Sequence, residues 1–259
     1  MTGGIHPTAL VAPGASVAAG VSVGAFCVIG EHVALGEGTR IGPHVVIDGR
    51  TTIGRGNRIF QFDSIGGPPQ DKKYAGEPTG LEIGDGNTIR ECVTINRGTV
   101  QDAGVTRVGS DNWIMAYVHI AHDCQVGDHT IFANYSGIAG HVQVGDWAIL
   151  GASTVVHQFV RIGAHSFTGM GTYLDRDLPP YVKAAGNMAK PYGINSEGLR
   201  RRGFSLDAIN ALKRSYRTIY RSGLGLEEIR RELQAHSADC AEVALLADFL
   251  ERSERGIIR

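Results

Sequence analysis

Counting every sixth residue from Ile5 meets Val11, Val17, Val23, Ile29, Leu35, Ile41, Ile47, Ile53, Ile59 and Ile65, eleven aliphatic positions without interruption. A six-residue period is too short for a helical repeat. It fits a parallel β-helix, where each hexad is one short strand and a corner. A single hexad cannot bury its aliphatic side chain, whereas stacked coils cover one another. Glycine often follows the aliphatic residue, at Gly24, Gly30, Gly36, Gly42, Gly54 and Gly66. There it is expected to relieve a sharp corner.

The count breaks after Ile65, and the segment near 66–82 reads as an excursion from the coil. The repeat resumes in register at Ile83, Ile89 and Ile95. After a second excursion near 96–107 it restarts one residue out of phase, at Val108, Ile114, Ile120, Val126, Phe132, Ile138, Val144, Leu150, Val156 and Ile162. From about Pro191 the period becomes helical. Ser205 is an N-cap for a helix with Leu206, Ile209, Leu212, Tyr216, Ile219 and Tyr220 on one face. Leu226, Ile229 and Leu233 predict a second helix, and Val243, Leu246, Phe249 and Leu250 a third. The expected organisation is a β-helix over 1–190 and a helical domain over 191–259.

Composition narrows the function classes. With 259 residues and a formal net charge of -1, the chain has no basic excess of the kind that binds nucleic acid. No segment approaches the length of a membrane span, and the start carries no basic, apolar leader. Cys27, Cys92, Cys124 and Cys240 are scattered and read as reduced thiols of a cytoplasmic protein.

Three hexads per coil would return the chain to the same face every eighteen residues. Ile65, Ile95, Ile120, Ile138, Val156 and Leu174 then form one column. The residues just beyond them are Asn96, His122 and Asp123, Gly140 and His141, and His157 and Gln158, with His119 immediately before Ile120. Coils ~4.8 Å apart let such side chains meet one small ligand. Two chemistries can use the stripe. His119, His122 and His141 as neutral imidazoles suit zinc, as in a hydratase of the carbonic-anhydrase type. Alternatively, a histidine supported by Asp123 acts as general base, with the Gly140 N–H holding an oxyanion. A purely structural β-helix leaves the His122–Asp123 pair unexplained.

The motifs favour the second chemistry. Gln70-Asp71-Lys72-Lys73-Tyr74-Ala75-Gly76-Glu77-Pro78, Arg97-Gly98-Thr99-Val100-Gln101, His119-Ile120-Ala121-His122-Asp123, Ala139-Gly140-His141, Val156-His157-Gln158-Phe159, Pro179-Pro180-Tyr181-Val182, and Asn195 to Phe204 run through the whole chain. Together they resemble the hexapeptide-repeat family of acyl-carrier-protein–UDP-N-acetylglucosamine O-acyltransferases, which begin lipid A synthesis. The resemblance implies a left-handed parallel β-helix with a C-terminal α-helical domain, a homotrimer, and sites between neighbouring subunits. It implies His122 as general base on the sugar 3-hydroxyl, Asp123 as its support and the Gly140 N–H as oxyanion donor. Asp71, Lys73, His119, His141, His157 and Gln158 are implied as contacts around the sugar and acyl group. Asn195, Glu197, Arg201 and Arg202 are implied near the uridine and diphosphate. No metal or cofactor is implied, the acyl group arriving on the phosphopantetheine arm of acyl carrier protein. Lys213, Arg217 and Arg221, four apart, with Arg214 beside them, give the first long C-terminal helix a basic face suited to an acidic carrier.

Two positions depart from the family's pattern. Asn96 stands where the family commonly has histidine, which bears on whether the acceptor carries a 3-hydroxyl or a 3-amino group. Met170 stands where the longer-chain enzymes have glycine. It lies between two and three coils beyond His122 in the sequence count, roughly 13 Å at strand spacing. That leaves room for about ten carbons of an extended chain and points to an (R)-3-hydroxydecanoyl donor.

Overall fold

The computed structural model describes residues 4–238 and 240–259. The hexads form three parallel sheets that are the three faces of a prism. The first face stacks strands from Gly4–Ile5 to Phe167–Thr168 and continues into Val182–Ala185 and the antiparallel Lys190–Ile194. The second runs from Leu10–Val11 to Tyr173–Leu174, and the third from Ser16–Val17 to Arg161–Ile162. Along the second face the register is Ile29↔Ile47, Ile47↔Ile65, Ile65↔Ile95, Ile95↔Ile120, Ile120↔Ile138 and Ile138↔Val156. The expected column is therefore real, with its aliphatic residues buried in the prism.

The excursions account for the phase of the count. Pairing runs every eighteen residues until Ile65↔Ile95, which spans thirty, so the first excursion adds twelve. Twelve is two hexads, and the repeat resumes in phase. Ile95↔Ile120 spans twenty-five, so the second excursion adds seven and moves the count by one.

The corners turn differently from the sequence expectation. Gly24, Gly30, Gly36, Gly42 and Gly54 are absent from the positive-φ positions, and of the six glycines named only Gly66 takes positive φ, at 74°. The left-handed residue is instead the third after the aliphatic one, and it is often not glycine: Phe26, His44, Asp123, His129, His141, Trp147 and His165 all lie near φ 60°. The glycines supply clearance. A Cβ on Gly24 would lie 2.6 Å from the carbonyl carbon of Gly42. Side chains at the left-handed positions stack from coil to coil, as in Phe26–His44–Phe62 and His129–Trp147–His165–Tyr181.

Buried polar groups line the edge leading into the first face. Asn57 Oδ1 accepts from the Asn87 N–H, Asn87 Oδ1 from the Asn112 N–H, and Asn112 Oδ1 from the Thr130 N–H, at 2.7–2.9 Å. Each asparagine satisfies the backbone of the next coil, so the ladder fixes register as well as polarity.

Four helices follow: α1 (Ser196–Arg201), α2 (Leu206–Arg221), α3 (Leu226–Ser237) and α4 (Ala241–Glu251). Ser205 caps α2 by accepting from the Ala208 N–H at 3.1 Å, as its sequence position predicts. The short α1, capped by Asn195, was not visible in the pattern, because six residues are too few to show a helical period. Among the described residues no helix is long and apolar enough to cross a membrane.

Asp63 is buried two positions before Ile65. Its Oδ1 accepts from the Val93 N–H at 2.7 Å, and its Oδ2 has no partner among the described residues. Burial, opposed by that hydrogen bond, pushes its pKa up to about 9. The folded state thus holds a proton that the unfolded chain releases near pH 4, and Asp63 erodes stability as pH rises from about 4 to about 9. Asp63→Asn retains the acceptor for Val93 and removes the titration. Its stability relative to the parent chain is expected to increase steadily between pH 5 and pH 9, read from chemical-denaturation midpoints; a gap independent of pH would contradict this assignment.

Candidate functional site

His122 and Asp123 occupy the corner that leaves the second face. Asp123 is left-handed, with φ 60°, and its side chain is fully buried. His122, one residue earlier, stands on the outside of the turn. Its Nδ1 lies 2.8 Å from Asp123 Oδ2. The carboxylate is held on its other sides as well: the Thr99 N–H donates to Oδ1 at 2.8 Å and the Thr99 hydroxyl to Oδ2 at 2.6 Å. With Nδ1 bound to a carboxylate, the His122 tautomer places its exchangeable lone pair on Nε2.

Gly140 lies one coil on, beneath the His122 ring. A Cβ there would sit 2.5 Å from His122 Cε1 and 2.7 Å from Nε2. Only glycine admits the imidazole to this place. Among the described residues the Gly140 N–H has no hydrogen-bond partner. His141 follows at the left-handed position, with φ 64°. Its ring meets His122 edge-on at 5.1 Å and lies flat on Phe159 at 4.3 Å. His141 Nδ1 lies 2.7 Å from Asp102 Oδ2, a residue of the second excursion that the sequence reading passed over. Its spacing from His141, thirty-nine residues and off the hexad count, gave no signal.

The other expected residues distribute as follows. His119 lies on the strand entering the corner, with Nδ1 2.7 Å from the Thr94 hydroxyl. Burial first, and nearby His122 second, push its pKa below the ordinary imidazole value. His157 and Gln158 are one coil beyond His141 on the same corner, and His157 Nδ1 is 3.4 Å from the Arg255 guanidinium. A cleft of about 650 Å³ between this corner and the C-terminal tail is lined by Asp102, His141, Phe159, Arg161, Arg252 and Arg255. Asp71 and Lys73 belong to the first excursion. Arg97 ties that loop down, donating to the Tyr74 hydroxyl at 3.1 Å and the Gly66 carbonyl at 2.9 Å. Asn96 is buried and donates to the Pro68 carbonyl at 3.0 Å, so it anchors the foot of this loop.

Two groups lie away from His122 within one protomer. Asn195, Glu197, Arg201 and Arg202 gather at the corner leaving the third face. There the Arg202 guanidinium lies 5.0 Å over Trp147 and 3.1 Å from His165 Nδ1, while Asn195 donates to the His165 carbonyl at 3.1 Å. Burial, with the Arg202 charge, pushes His165 down to about 4, leaving it neutral beside the guanidinium. Glu197 pairs with Arg201 at 3.0 Å on the exposed side of α1. Met170 is on the corner leaving the first face and is 79% exposed. The structure therefore does not bring these five residues to the His122 corner of their own chain.

A metal would take a different trio from the one expected. His122, Asp123 and His141 have ligand atoms within 4.8 Å of one another, and His119 is not among them. Asp123 already accepts two bonds from Thr99 and one from His122, and His141 Nδ1 is engaged by Asp102. A cation held by all three would displace these bonds, so the donor set fits a hydrogen-bonded relay better than a metal.

A left-handed corner column with a buried Asp–His pair on a hexapeptide coil belongs to the class of bacterial hexapeptide transferases, and the model of six such repeats matches residues 106–140. The family model for domain 2 of UDP-N-acetylglucosamine O-acyltransferase matches residues 177–258. The acyl-[acyl-carrier-protein]–UDP-N-acetylglucosamine O-acyltransferase of Janthinobacterium sp. (strain Marseille) is 61% identical over 98% of this chain and 99% of that protein. The UDP-N-acetylglucosamine O-acyltransferase structure from Moraxella catarrhalis RH4 superposes with a TM-score of 0.97 at 47% identity, over 98% of this chain and 99% of that one. The Francisella novicida UDP-N-acetylglucosamine acyltransferase structure gives 0.97 at 42% identity, over 98% and 94%. The chain belongs to the acyl-[acyl-carrier-protein]–UDP-N-acetylglucosamine O-acyltransferase family, with the family's left-handed β-helix and C-terminal helical region.

Gly140→Ala tests the geometry of the pair directly. The added methyl must push the His122 ring off its seat. We expect loss of the low-field Nδ1–H proton resonance of the His122–Asp123 bond in the folded variant; an unchanged resonance would place the ring elsewhere.

Proposed function

We propose that this chain transfers an (R)-3-hydroxyacyl group, 3-hydroxydecanoyl, from acyl carrier protein to the 3-hydroxyl of UDP-N-acetylglucosamine, opening lipid A synthesis in the cytoplasm. The observation that carries the mechanism is the 2.8 Å bond from His122 to the buried Asp123, with Nε2 left over Gly140. His122 Nε2 takes the proton of the 3-hydroxyl as that oxygen attacks the thioester carbonyl. The imidazolium is stabilised by the Asp123 carboxylate, and the tetrahedral oxyanion by the Gly140 N–H. Collapse breaks the carbon–sulfur bond, and the departing phosphopantetheine thiolate takes the proton back from Nε2. The transfer calls on no metal and on no cofactor beyond the phosphopantetheine arm of the carrier.

The remaining residues define the two substrates. Asp71, Lys73, His119, His141, His157 and Gln158 surround the sugar and acyl group on the catalytic corner. The separation of Asn195, Glu197, Arg201 and Arg202 from His122 within one chain supports a homotrimer whose neighbouring protomers complete each site. Arg201, 78% exposed and paired with Glu197 on the outside of α1, is the guanidinium assigned to the diphosphate, because Arg202 is committed to Trp147 and His165. Met170, on another corner of its own chain, is assigned to the site of a neighbouring protomer, where its axial height of two to three coils beyond His122 limits the acyl chain to about ten carbons. The carrier docks on the exposed basic face of α2, formed by Lys213, Arg214, Arg217 and Arg221.

Replacing His122 by alanine is expected to lower turnover by about three orders of magnitude, the usual scale for losing a general base, with sedimentation and circular dichroism unchanged. Full activity in that variant would end the mechanism. Competing carrier-linked donors of ten, twelve and fourteen carbons, each offered acceptors with a 3-hydroxyl and a 3-amino group, test specificity. Ten carbons on the hydroxyl acceptor are expected to dominate, and Met170→Gly to move the preference to longer chains. A parent preference for fourteen would show that Met170 does not set the length.

A further inference from the structure

The second excursion does more than interrupt the coil. It leaves the second face after Asn96 and rejoins the third face at Val105. Its ends are pinched together: Gly98 N–H donates to the Gly80 carbonyl and Gly80 N–H to the Gly104 carbonyl, both at 2.9 Å. A side chain at Gly98 would collide with the backbone of Gly104 and Val105, so the closure demands glycine. Inside the loop the Thr99 carbonyl accepts from the Gly104 N–H at 3.1 Å and, more weakly, from the Asp102 N–H at 3.4 Å. The loop is thus a small closed ring, and two of its side chains point back to the imidazole corner. Thr99 gives Asp123 two hydrogen bonds. Asp102 reaches His141 Nδ1 at 2.7 Å.

We propose that Asp102 is a positioning residue: with His141 flat on Phe159, its carboxylate holds the Nδ1–H of His141 and presents Nε2 to substrate, making a second Asp–His dyad beside His122–Asp123. Three restraints act on the ring. Phe159 fixes its plane at 4.3 Å and 8°, His122 abuts its edge, and Asp102 selects which nitrogen keeps the proton. Without Asp102 the ring still stacks, but nothing of comparable length fixes its tautomer: the next carboxylate, Asp123, is 3.9 Å away and already bonded to His122 and Thr99. The two dyads differ in character. Asp123 is wholly buried and belongs to the coil. Asp102 is half exposed and belongs to the loop. A single loop, through Thr99 and Asp102, therefore orients both imidazoles, one indirectly and one by contact.

The inference rests on the proposed transferase reading for its kinetic arm but not for its spectroscopic one. In protein with ¹⁵N-labelled histidine, the parent chain is expected to show His141 protonated at Nδ1. Asp102→Ala should give a mixture of tautomers, and Asp102→Asn, whose amide oxygen still accepts, should keep the parent signal. A parent-like His141 spectrum in Asp102→Ala overturns the proposal whatever the reaction. Kinetically, Asp102→Ala is expected to lower kcat/KM about tenfold in the acyl-transfer assay, with Asp102→Asn within threefold of the parent. In a His141→Ala background the Asp102→Ala change should cost nothing further, because the two act as a unit. An additive loss in the double variant would assign Asp102 to the loop's structure instead. Failure of the transferase reading would appear separately, as absence of turnover in the parent chain.

Discussion

Every part of this molecule depends on one constraint: an aliphatic side chain every sixth residue must land on the one eighteen residues earlier. A two-residue strand has almost no stability of its own. It persists because its aliphatic residue is sealed above and below by equivalents such as Ile120 between Ile95 and Ile138. The backbone ladder and the asparagine ladder at Asn57, Asn87 and Asn112 then hold the same register by hydrogen bonds. Register set inside the prism is inherited by whatever stands at the corners. That is how His122 and His141, nineteen positions apart in the chain, come to share an edge contact.

The corners convert this register into chemistry. A left-handed residue turns the chain at each edge, and its side chain folds against the neighbouring coil. Stacked rings fill most of these positions and offset part of the cost of a left-handed backbone. At one corner the same geometry carries Asp123, which is drawn under His122 rather than stacked. Adjacent positions of one turn thus divide the work, one imidazole facing out and the next side chain, a carboxylate, turned in to hold it. Gly140 completes the arrangement by contributing nothing but clearance and an N–H with no partner among the described residues.

Much of this is legible in the sequence itself. The hexad count located the coils, and the column scheme grouped His119, His122, Gly140, His141 and His157 because period six is a property of sequence. The glycines have a different role from the bends their positions suggest: they admit a neighbouring backbone, a contact invisible in a linear chain. Asp102 was missed because it stands in an excursion, where no period operates and only loop closure decides what it meets. Helix α1 was missed for want of length. The placement of Arg202 against Trp147 and His165 was equally hidden, since it joins a helix to a corner by tertiary packing alone.

The excursion lengths have a wider meaning. One adds twelve residues and the other seven, yet the aliphatic pairs on either side keep their register, and only the root of the first excursion, between Ile65 and Gly67, carries a local shift. The scaffold is indifferent to how much chain leaves at an edge, provided it re-enters beside its point of departure. Reactive loops can be lengthened, shortened or rewritten as attachments to a chassis that never registers the change. In such a molecule the evolution of specificity and the preservation of the fold are separable problems.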